Sequence, residues 1–142
     1  MVHDLIIVGA GPAGISTAVE AREAGIGRDR ILILEKGPAH SYAIRKFYPE
    51  DKRVDAVYKG LPTISQGRIT IVDGTKQQTL DQTIQRWELN VHYDEGAETI
   101  RKHEDRQLFD VATGKASCQA KVVVMICRDY LDRPMAAEPQ RA

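Results

Sequence analysis

The stretch DLIIVGAGPAG, residues 4–14 of a chain of 142, decides the fold. Its apolar run from Leu5 to Val8 is typical of a strand that is buried on both faces of a sheet. Three glycines follow with the spacing Gly-x-Gly-x-x-Gly, and Pro12 stands at about the first helical position, where a missing N–H costs little. The stretch therefore predicts a strand, a tight turn and the start of a helix.

Each glycine of this turn has a separate physical task. Gly9 permits the tight turn, Gly11 lets a pyrophosphate approach the backbone, and Gly14 lets the helix pack closely on the sheet. The N–H groups of the first helical turn have no partner within the helix, and the helix dipole favours negative charge beside them. This arrangement binds the pyrophosphate of a dinucleotide.

The next residues support this interpretation. Ile15 to Ala24 predict a helix that ends near Gly25, and Ile31 to Leu34 predict a second buried strand. Glu35 comes directly after that strand, about 20 residues beyond the glycine motif, where an acid binds the ribose hydroxyls of a dinucleotide. An ordinary βαβ unit without a ligand is the alternative, and Glu35 favours the dinucleotide site over it.

Composition narrows the class of protein. Lys and Arg together number 20, as do Asp and Glu, so the net charge of zero predicts neither nucleic acid nor an anionic membrane as a partner. A small basic cluster at Arg45–Arg53 is half neutralised by Glu50 and Asp51, which indicates a solvated loop. No apolar run is long enough to span a bilayer and no signal-peptide pattern precedes the first strand, so a cytoplasmic location is expected.

No catalytic or metal-binding residue is predicted. Cys118 and Cys127 lack the Cys-x-x-Cys spacing of a dithiol redox motif, and we expect them to be small buried apolar residues. The four histidines are scattered without the spacing of metal ligands, and no serine lies in a strand–turn–helix nucleophile elbow.

Between Glu35 and Gly96 the pattern changes. Leu80, Ile84 and Trp87 recur at the spacing of one helical face, which we expect to pack on the sheet with Trp87 in the core. Four further features are predicted: a short helix at Ala43–Tyr48, a short strand at Arg68–Val72, an N-cap at Thr75, and a strand at Leu89–Tyr93.

From Gly96 onward the apolar period becomes two, which predicts an antiparallel meander. Its three strands are predicted at Ala97–Lys102, Gln107–Ala112 and Ser117–Ile126. We expect the meander to lie across the parallel sheet as a separate layer, and its strongly apolar end, Ala120–Cys127, to return to that sheet. Residues 128–142 are charged, contain two prolines and predict an irregular tail, which leaves residues 1–127 as one domain.

As a whole the chain resembles the N-terminal FAD-binding part of thioredoxin-reductase-like pyridine nucleotide-disulfide oxidoreductases. The resemblance rests on the blocks DLIIVGAGPAGISTAVEAREAG, ILILEKG and NVHYDEGAETIRKHEDRQLFDVATGKASCQAKVVVMIC. The form Gly-Ala-Gly-Pro-Ala-Gly, and a Glu after the second strand, are specific to the flavin-binding version. The resemblance implies an α/β fold, namely a Rossmann-like FAD-binding domain whose parallel sheet carries an added antiparallel β-meander and which is incomplete at the C-terminus.

The resemblance implies that the cofactor is FAD. NAD(P)H is implied only because the family uses it, since the domain that would bind it is not among these residues. The implied cofactor-binding residues are Gly9, Gly11, Pro12, Ala13 and Gly14 at the pyrophosphate, Glu35 and Lys36 at the adenosine, and Ala97 at the adenine. In this scheme Glu35 accepts hydrogen bonds from the ribose, the N–H of Ala13 faces the phosphates, and the contacts to the flavin ring come from within Gly37–Tyr48.

Two departures from the family pattern are visible. The strand after the meander ends in VMICR, residues 124–128, where the family has a small-residue turn. A second Gly-x-Gly-x-x-Gly domain for NAD(P)H and a Cys-x-x-Cys pair are not among these 142 residues. We therefore expect a truncated FAD-binding portion of a flavin-dependent reductase, with little turnover of its own. The alternatives are a stand-alone FAD-, NAD- or ADP-binding module without catalysis, and a non-functional remnant whose uncovered sheet aggregates.

Overall fold

The computed structural model of the chain describes residues 1–47 and 76–126. Several predictions lie outside the described residues: the strand Arg68–Val72, the N-cap Thr75, the thiol Cys127 and the tail at residues 128–142.

These residues form an α/β fold with one mixed sheet. The strands are β1 (Val2–Val8), β2 (Ile31–Leu34), β3 (Val91–His92), β4 (Ala97–Lys102), β5 (Phe109–Thr113) and β6 (Ser117–Met125). The helices are α1 (Pro12–Glu23), α2 (Tyr42–Phe47) and α3 (Lys76–Arg86), with a 3₁₀ turn at Arg28–Arg30. The sheet order is β3-β2-β1-β6-β5-β4, and no helix within the described ranges is long and apolar enough to cross a membrane.

The strand β1 is central to the parallel part of the sheet. It pairs in parallel with β2, where Ile6 lies beside Leu32, and with β6, where Ile6 lies beside Val123. All four residues of β2 are buried, because both faces of the sheet are covered at this strand. The glycine turn follows β1 and Glu35 follows β2, so both lie at the same end of neighbouring parallel strands, which we call the carboxyl edge.

The helix α1 covers one face of the sheet. Its residue Ala18 packs in a buried cluster with Leu5, Ile7 and Ile33. The helix begins at Pro12, which confirms the first helical position predicted there, so the third glycine of the motif lies inside its first turn. It ends at Glu23 because Gly25 adopts a φ of +97°, which is left-handed and ends the helical path.

The helix α3 packs through only part of its predicted face. Leu80 is fully buried, whereas Ile84 and Trp87 are half-buried. The indole of Trp87 is therefore not in the core as predicted. Arg22 of α1 instead donates a hydrogen bond to the carbonyl oxygen of Trp87 at 3.1 Å, which joins the ends of the two helices.

The strand β3 is shorter than the predicted Leu89–Tyr93. The N–H of Leu89 donates to the carbonyl of Ile84 and still belongs to the end of α3. On the other side, Asp94 turns the chain with a φ of +52°. Two residues remain for pairing with β2.

The meander shares its hydrogen bonds with the parallel sheet. The strand β6 pairs antiparallel with β5 through Ser117–Ala120 and parallel with β1 through Gln119–Met125, as predicted for its apolar end. The expectation of a separate layer is therefore wrong in its hydrogen bonding, because β6 is long enough to serve both parts. Val111 of β5 nevertheless packs in one cluster with Leu32 of β2, although two strands lie between them, so the meander curls over the face opposite α1.

Candidate cofactor-binding site

The glycine turn that connects β1 to α1 is tightly packed against the start of the helix. Gly9 has a φ of +112°, which side chains rarely tolerate, and its N–H donates to the carbonyl of Leu34 at 2.8 Å. A Cβ atom at Gly14 would lie 2.0 Å from the carbonyl oxygen of Gly9, closer than real contacts allow. The turn and the helix are thus in close contact at these two positions, and glycine is required at both.

Gly11 differs, because open space surrounds its Cα atom. Its backbone is extended, with φ −78° and ψ 179°, and a Cβ added there would meet no heavy atom within 4 Å. Within the described structure, no side chain caps α1, and its first turn carries no acidic residue. Ala13 in that turn is exposed. An exposed helix N-terminus beside an open Cα is the geometry that a phosphate group fits.

Glu35 faces the same turn and is only 8% exposed. Its Oε1 accepts a hydrogen bond from the N–H of Ala10 at 3.1 Å, and its Oε2 accepts one from the N–H of Gly37 at 2.7 Å. A carboxylate oxygen has two lone pairs, so each oxygen retains one for a ribose hydroxyl. The structure therefore places the predicted acid against the predicted phosphate turn.

The loop that precedes β4 lies beside Glu35 and Lys36 at the carboxyl edge. Ala97 is 4% exposed and packs in the apolar cluster beneath the meander, so it offers a ligand its backbone rather than its side chain. Lys36 is exposed, and its Cβ lies 2.9 Å from the position of a Cβ added at Gly96. The N–H of Glu95 donates to the carbonyl of Glu35 at 2.9 Å and holds the two loops together.

A second buried carboxylate supports that loop, and the sequence analysis did not identify it. Glu95 is 8% exposed, and its Oε1 accepts a hydrogen bond from the Thr113 hydroxyl at 2.8 Å. Its Oε2 lies 3.0 Å from Nδ1 of His92. Burial raises the pKa of the nearby Cys118 thiol, and the charge of Glu95 raises it further. The thiol is thus kept protonated within the meander.

Polar residues around α2 were also missed. His40 and Ser41 are 3% and 2% exposed, and they lie in contact with Arg45 of α2 and Asp81 of α3. We call these four residues the His40 cluster. Nearby, burial raises the pKa of the Tyr93 phenol, with the charge of Asp81 as the next cause. Apolar periodicity gives no sign of this cluster, because His40 and Asp81 are 41 positions apart.

The described residues at this edge offer a ligand the N–H groups of an uncapped helix and a buried carboxylate. Among residues 1–47 and 76–126, no group of three or more His, Cys, Asp and Glu side chains is placed to hold a metal ion. A shallow cavity of about 420 Å³ lies away from the glycine turn, lined by residues such as Arg28, Glu88 and Asn90. The predicted site residues do not line that cavity, and the carboxyl edge remains the candidate site.

A βαβ unit with this glycine turn and acid defines a Rossmann-like α/β protein of the FAD-binding type. Within that class, the chain belongs to the pyridine nucleotide-disulphide oxidoreductase family, whose model matches residues 6–136. The resemblance recognised in the sequence is therefore confirmed at the level of family and fold. The match includes the first residues of the segment predicted as a tail.

Known relatives are similar over most of this chain but are much longer. Ferredoxin–NADP reductase 2 of Bacillus cytotoxicus is 26% identical over 137 residues, which cover 96% of this chain and 38% of the relative. Ferredoxin–NADP reductase of Lactococcus lactis subsp. cremoris is 29% identical over 131 residues, which cover 92% and 36%. The chain thus spans between about a third and two fifths of the length of these curated relatives.

Solved structures show the same fold. Bacillithiol disulfide reductase Bdr (YpdA) from Bacillus cereus superposes with a TM-score of 0.63 at 24% identity, over 88% of this chain and 39% of that one. Thioredoxin reductase from Streptococcus pyogenes gives a TM-score of 0.55 at 20% identity, over 87% and 34%. At these identities the similarity establishes the fold alone.

Proposed function

We propose that the chain binds FAD at the carboxyl edge, as the FAD-binding portion of a flavin-dependent NAD(P)H oxidoreductase. One observation carries this proposal: the open space at Gly11 beside an uncapped helix N-terminus, with the Glu35 carboxylate bonded to the same turn. Family membership supports FAD as the ligand.

Each predicted site residue then has a physical task. The N–H groups near Pro12, chiefly that of Ala13, donate to the pyrophosphate, and Gly9, Gly11 and Gly14 provide the space for it. Glu35 accepts from the ribose, Lys36 lies beside the adenosine, and the backbone of Ala97 meets the adenine. Bound FAD supplies the hydride-accepting chemistry, while these residues bind and orient it.

The proposal is tested by titrating the purified chain with FAD and following flavin fluorescence and retention after desalting. The Cβ of Gly11→Val meets no heavy atom within 4 Å and enters the space for the pyrophosphate, so we expect a folded protein whose FAD affinity falls by roughly tenfold. Gly27→Val is the matched control, because its Cβ lies 3.8 Å from the nearest atom, the flexible Arg30 side chain. Equal affinity of the Gly11→Val and Gly27→Val proteins would contradict the site.

A binding module without catalysis is the second candidate. It is favoured because the described site residues lie at the glycine turn and at Glu35, which recognise the pyrophosphate and ribose common to FAD, NAD and ADP. Competition experiments separate the two candidates. A module of this kind binds NAD and ADP about as well as FAD, and NADP least, because the Glu35 carboxylate repels a 2′-phosphate.

We further propose that these 142 residues by themselves give little or no reduction of FAD by NADPH or NADH. Support comes from the relatives named as reductases, of which the match covers 38% or less. Bleaching of flavin absorbance near its visible maximum by NADPH measures this directly. Rapid bleaching would overturn the expectation of little turnover and leave FAD binding in place.

A further inference from the structure

The His40 cluster forms a continuous polar path from α3 to the glycine turn. Nε2 of His40 contacts the Asp81 carboxylate, and Nδ1 of His40 lies 3.1 Å from the hydroxyl oxygen of Ser41. The backbone N–H of Ser41 donates to the carbonyl of Ala10 at 2.8 Å. Ala10 is the residue between the first two glycines of the turn.

Arg45 holds the imidazole from a third side. Its Nε donates to the His40 carbonyl at 2.8 Å, and its Nη2 lies 2.9 Å from Nε2 of His40. The guanidinium is also 3.5 Å from the Asp81 carboxylate. Both ring nitrogens of His40 therefore have polar neighbours: Nδ1 has Ser41, and Nε2 has Asp81 and Arg45.

Ser41 has an unfavourable backbone conformation that needs stabilising contacts from its surroundings. Its φ of +55° lies in the left-handed region, which is unfavourable for a residue with a Cβ. Such a conformation persists only where neighbouring contacts fix it. Among the described residues, its hydroxyl lies 3.1 Å from Nδ1 of His40, and its carbonyl accepts a hydrogen bond from the N–H of Arg45 at 2.9 Å.

A hydrolytic role for these residues does not fit the geometry. A serine, a histidine and an aspartate in series suggest a nucleophile with its base. Ser41, however, is only 2% exposed, and its Oγ has no open approach for a substrate. The contacts therefore serve the backbone at Ser41 rather than bond cleavage.

We propose that His40 is a positioning residue for the pyrophosphate turn. Its imidazole keeps Ser41 in the left-handed conformation, and the Ser41 N–H then fixes the carbonyl of Ala10. Glu35 fixes the N–H of the same residue, so both polar backbone groups of Ala10 are held from outside the turn. This inference rests on the proposed function, because the turn held in this way is the one proposed to bind FAD.

The test combines His40→Ala with a rescue at Ser41. Without the imidazole, Ser41 leaves its left-handed conformation, and we expect FAD affinity of the full chain to fall roughly tenfold. Ser41→Gly should restore most of that loss in the double variant, because glycine adopts positive φ without strain. A purely structural loss at His40 would not be restored by removing a second side chain.

Two further variants keep the test decisive. His40→Leu removes the polar contact with the Ser41 hydroxyl but keeps a side chain of similar size, and it replaces His40→Ala if the alanine variant does not fold. His103→Ala is the matched control, because it removes a partly buried histidine paired with Asp110 in the meander, and should leave FAD affinity unchanged. Unchanged affinity in the His40 variants, or no recovery with Ser41→Gly, would overturn the proposal.

Amide hydrogen exchange separates failure of this inference from failure of the proposed function. In the ligand-free chain, we expect His40→Ala to accelerate exchange of the residue 41 amide, and Ser41→Gly to restore its protection. Wild-type protein that binds no FAD would contradict the proposed function, and the exchange measurement would still decide whether His40 positions Ser41. Unaltered exchange in His40→Ala would overturn the positioning role whatever the ligand.

Discussion

At the scale of single residues, Glu35 shows how one carboxylate serves the fold and the site together. Its two oxygens accept the N–H groups of Ala10 and Gly37 within a buried loop. These hydrogen bonds are present before a ribose is bound, so the carboxylate is already oriented when the ligand arrives. The sequence spacing predicted an acidic residue that binds the ribose at this position. It did not predict the hydrogen bonds from the carboxylate to the two loops.

Glu35→Gln tests the structural part of this double task. An amide has a single acceptor oxygen, so one of the two N–H groups loses its partner and faces an NH₂ group. We expect the ligand-free chain to lose about 1–3 kcal/mol of unfolding free energy, measured by urea denaturation. Glu23→Gln, at the exposed end of α1, is the control. A Glu35→Gln protein as stable as wild type would show that these hydrogen bonds do not hold the turn.

At the scale of elements, an ion-pair network joins β1, the 3₁₀ turn and β6 at the edge opposite the site. The Asp4 carboxylate accepts from Arg30 Nη2 at 2.7 Å and Nε at 3.2 Å, and lies 3.1 Å from Lys121 Nζ. The hydrogen bond from Arg30 first, then that from Lys121, lowers the pKa of Asp4 from 3.8 to about 2. The folded protein therefore binds a proton at Asp4 more weakly than the unfolded chain does.

This shift predicts a pH-dependent contribution to stability. Because the folded pKa is the lower one, the network stabilises the fold fully above pH 3.8, and the contribution is lost as the pH falls toward about 2. We expect the difference in melting temperature between wild type and Asp4→Asn to be largest near pH 6 and to shrink over that acid range. Asp29→Asn, whose side chain is 80% exposed, is the control. A difference that stays constant down to pH 2 would contradict the assignment.

The elements also show which parts of the fold can be predicted from sequence. The strand β1, the glycine turn, α1 and β2 follow from neighbouring residues, because burial and turn chemistry act locally there. The path of β6 was predicted, but its simultaneous pairing with β5 and β1 was not. Pairing partners depend on strand length and on the curl of the sheet. The two-residue alternation of apolar side chains gives information on neither.

At the scale of the whole molecule, the site is assembled from segments that are distant in sequence. The Ser41 N–H reaches Ala10, the Glu95 N–H reaches Glu35, and the Thr113 hydroxyl reaches Glu95 across the carboxyl edge. Local sequence patterns give no information on such contacts, which is why the His40 cluster and Glu95 were missed. A ligand at this edge would touch a network that joins the glycine turn, both loops and the meander, so its binding should stabilise the entire fold.

That coupling predicts a measurable effect of FAD on thermal unfolding. A ligand that binds only the folded state at 100 times its Kd contributes about 2.7 kcal/mol. For a domain of this size, the melting temperature should rise by about 5–10 °C. Gly11→Val should show a smaller FAD-induced rise, about half of that in wild type if its affinity falls tenfold, because its Cβ occupies the space for the pyrophosphate. An equal FAD-induced rise in Gly11→Val and wild type would place the flavin elsewhere on the molecule, since only binding at the glycine turn is sensitive to that side chain.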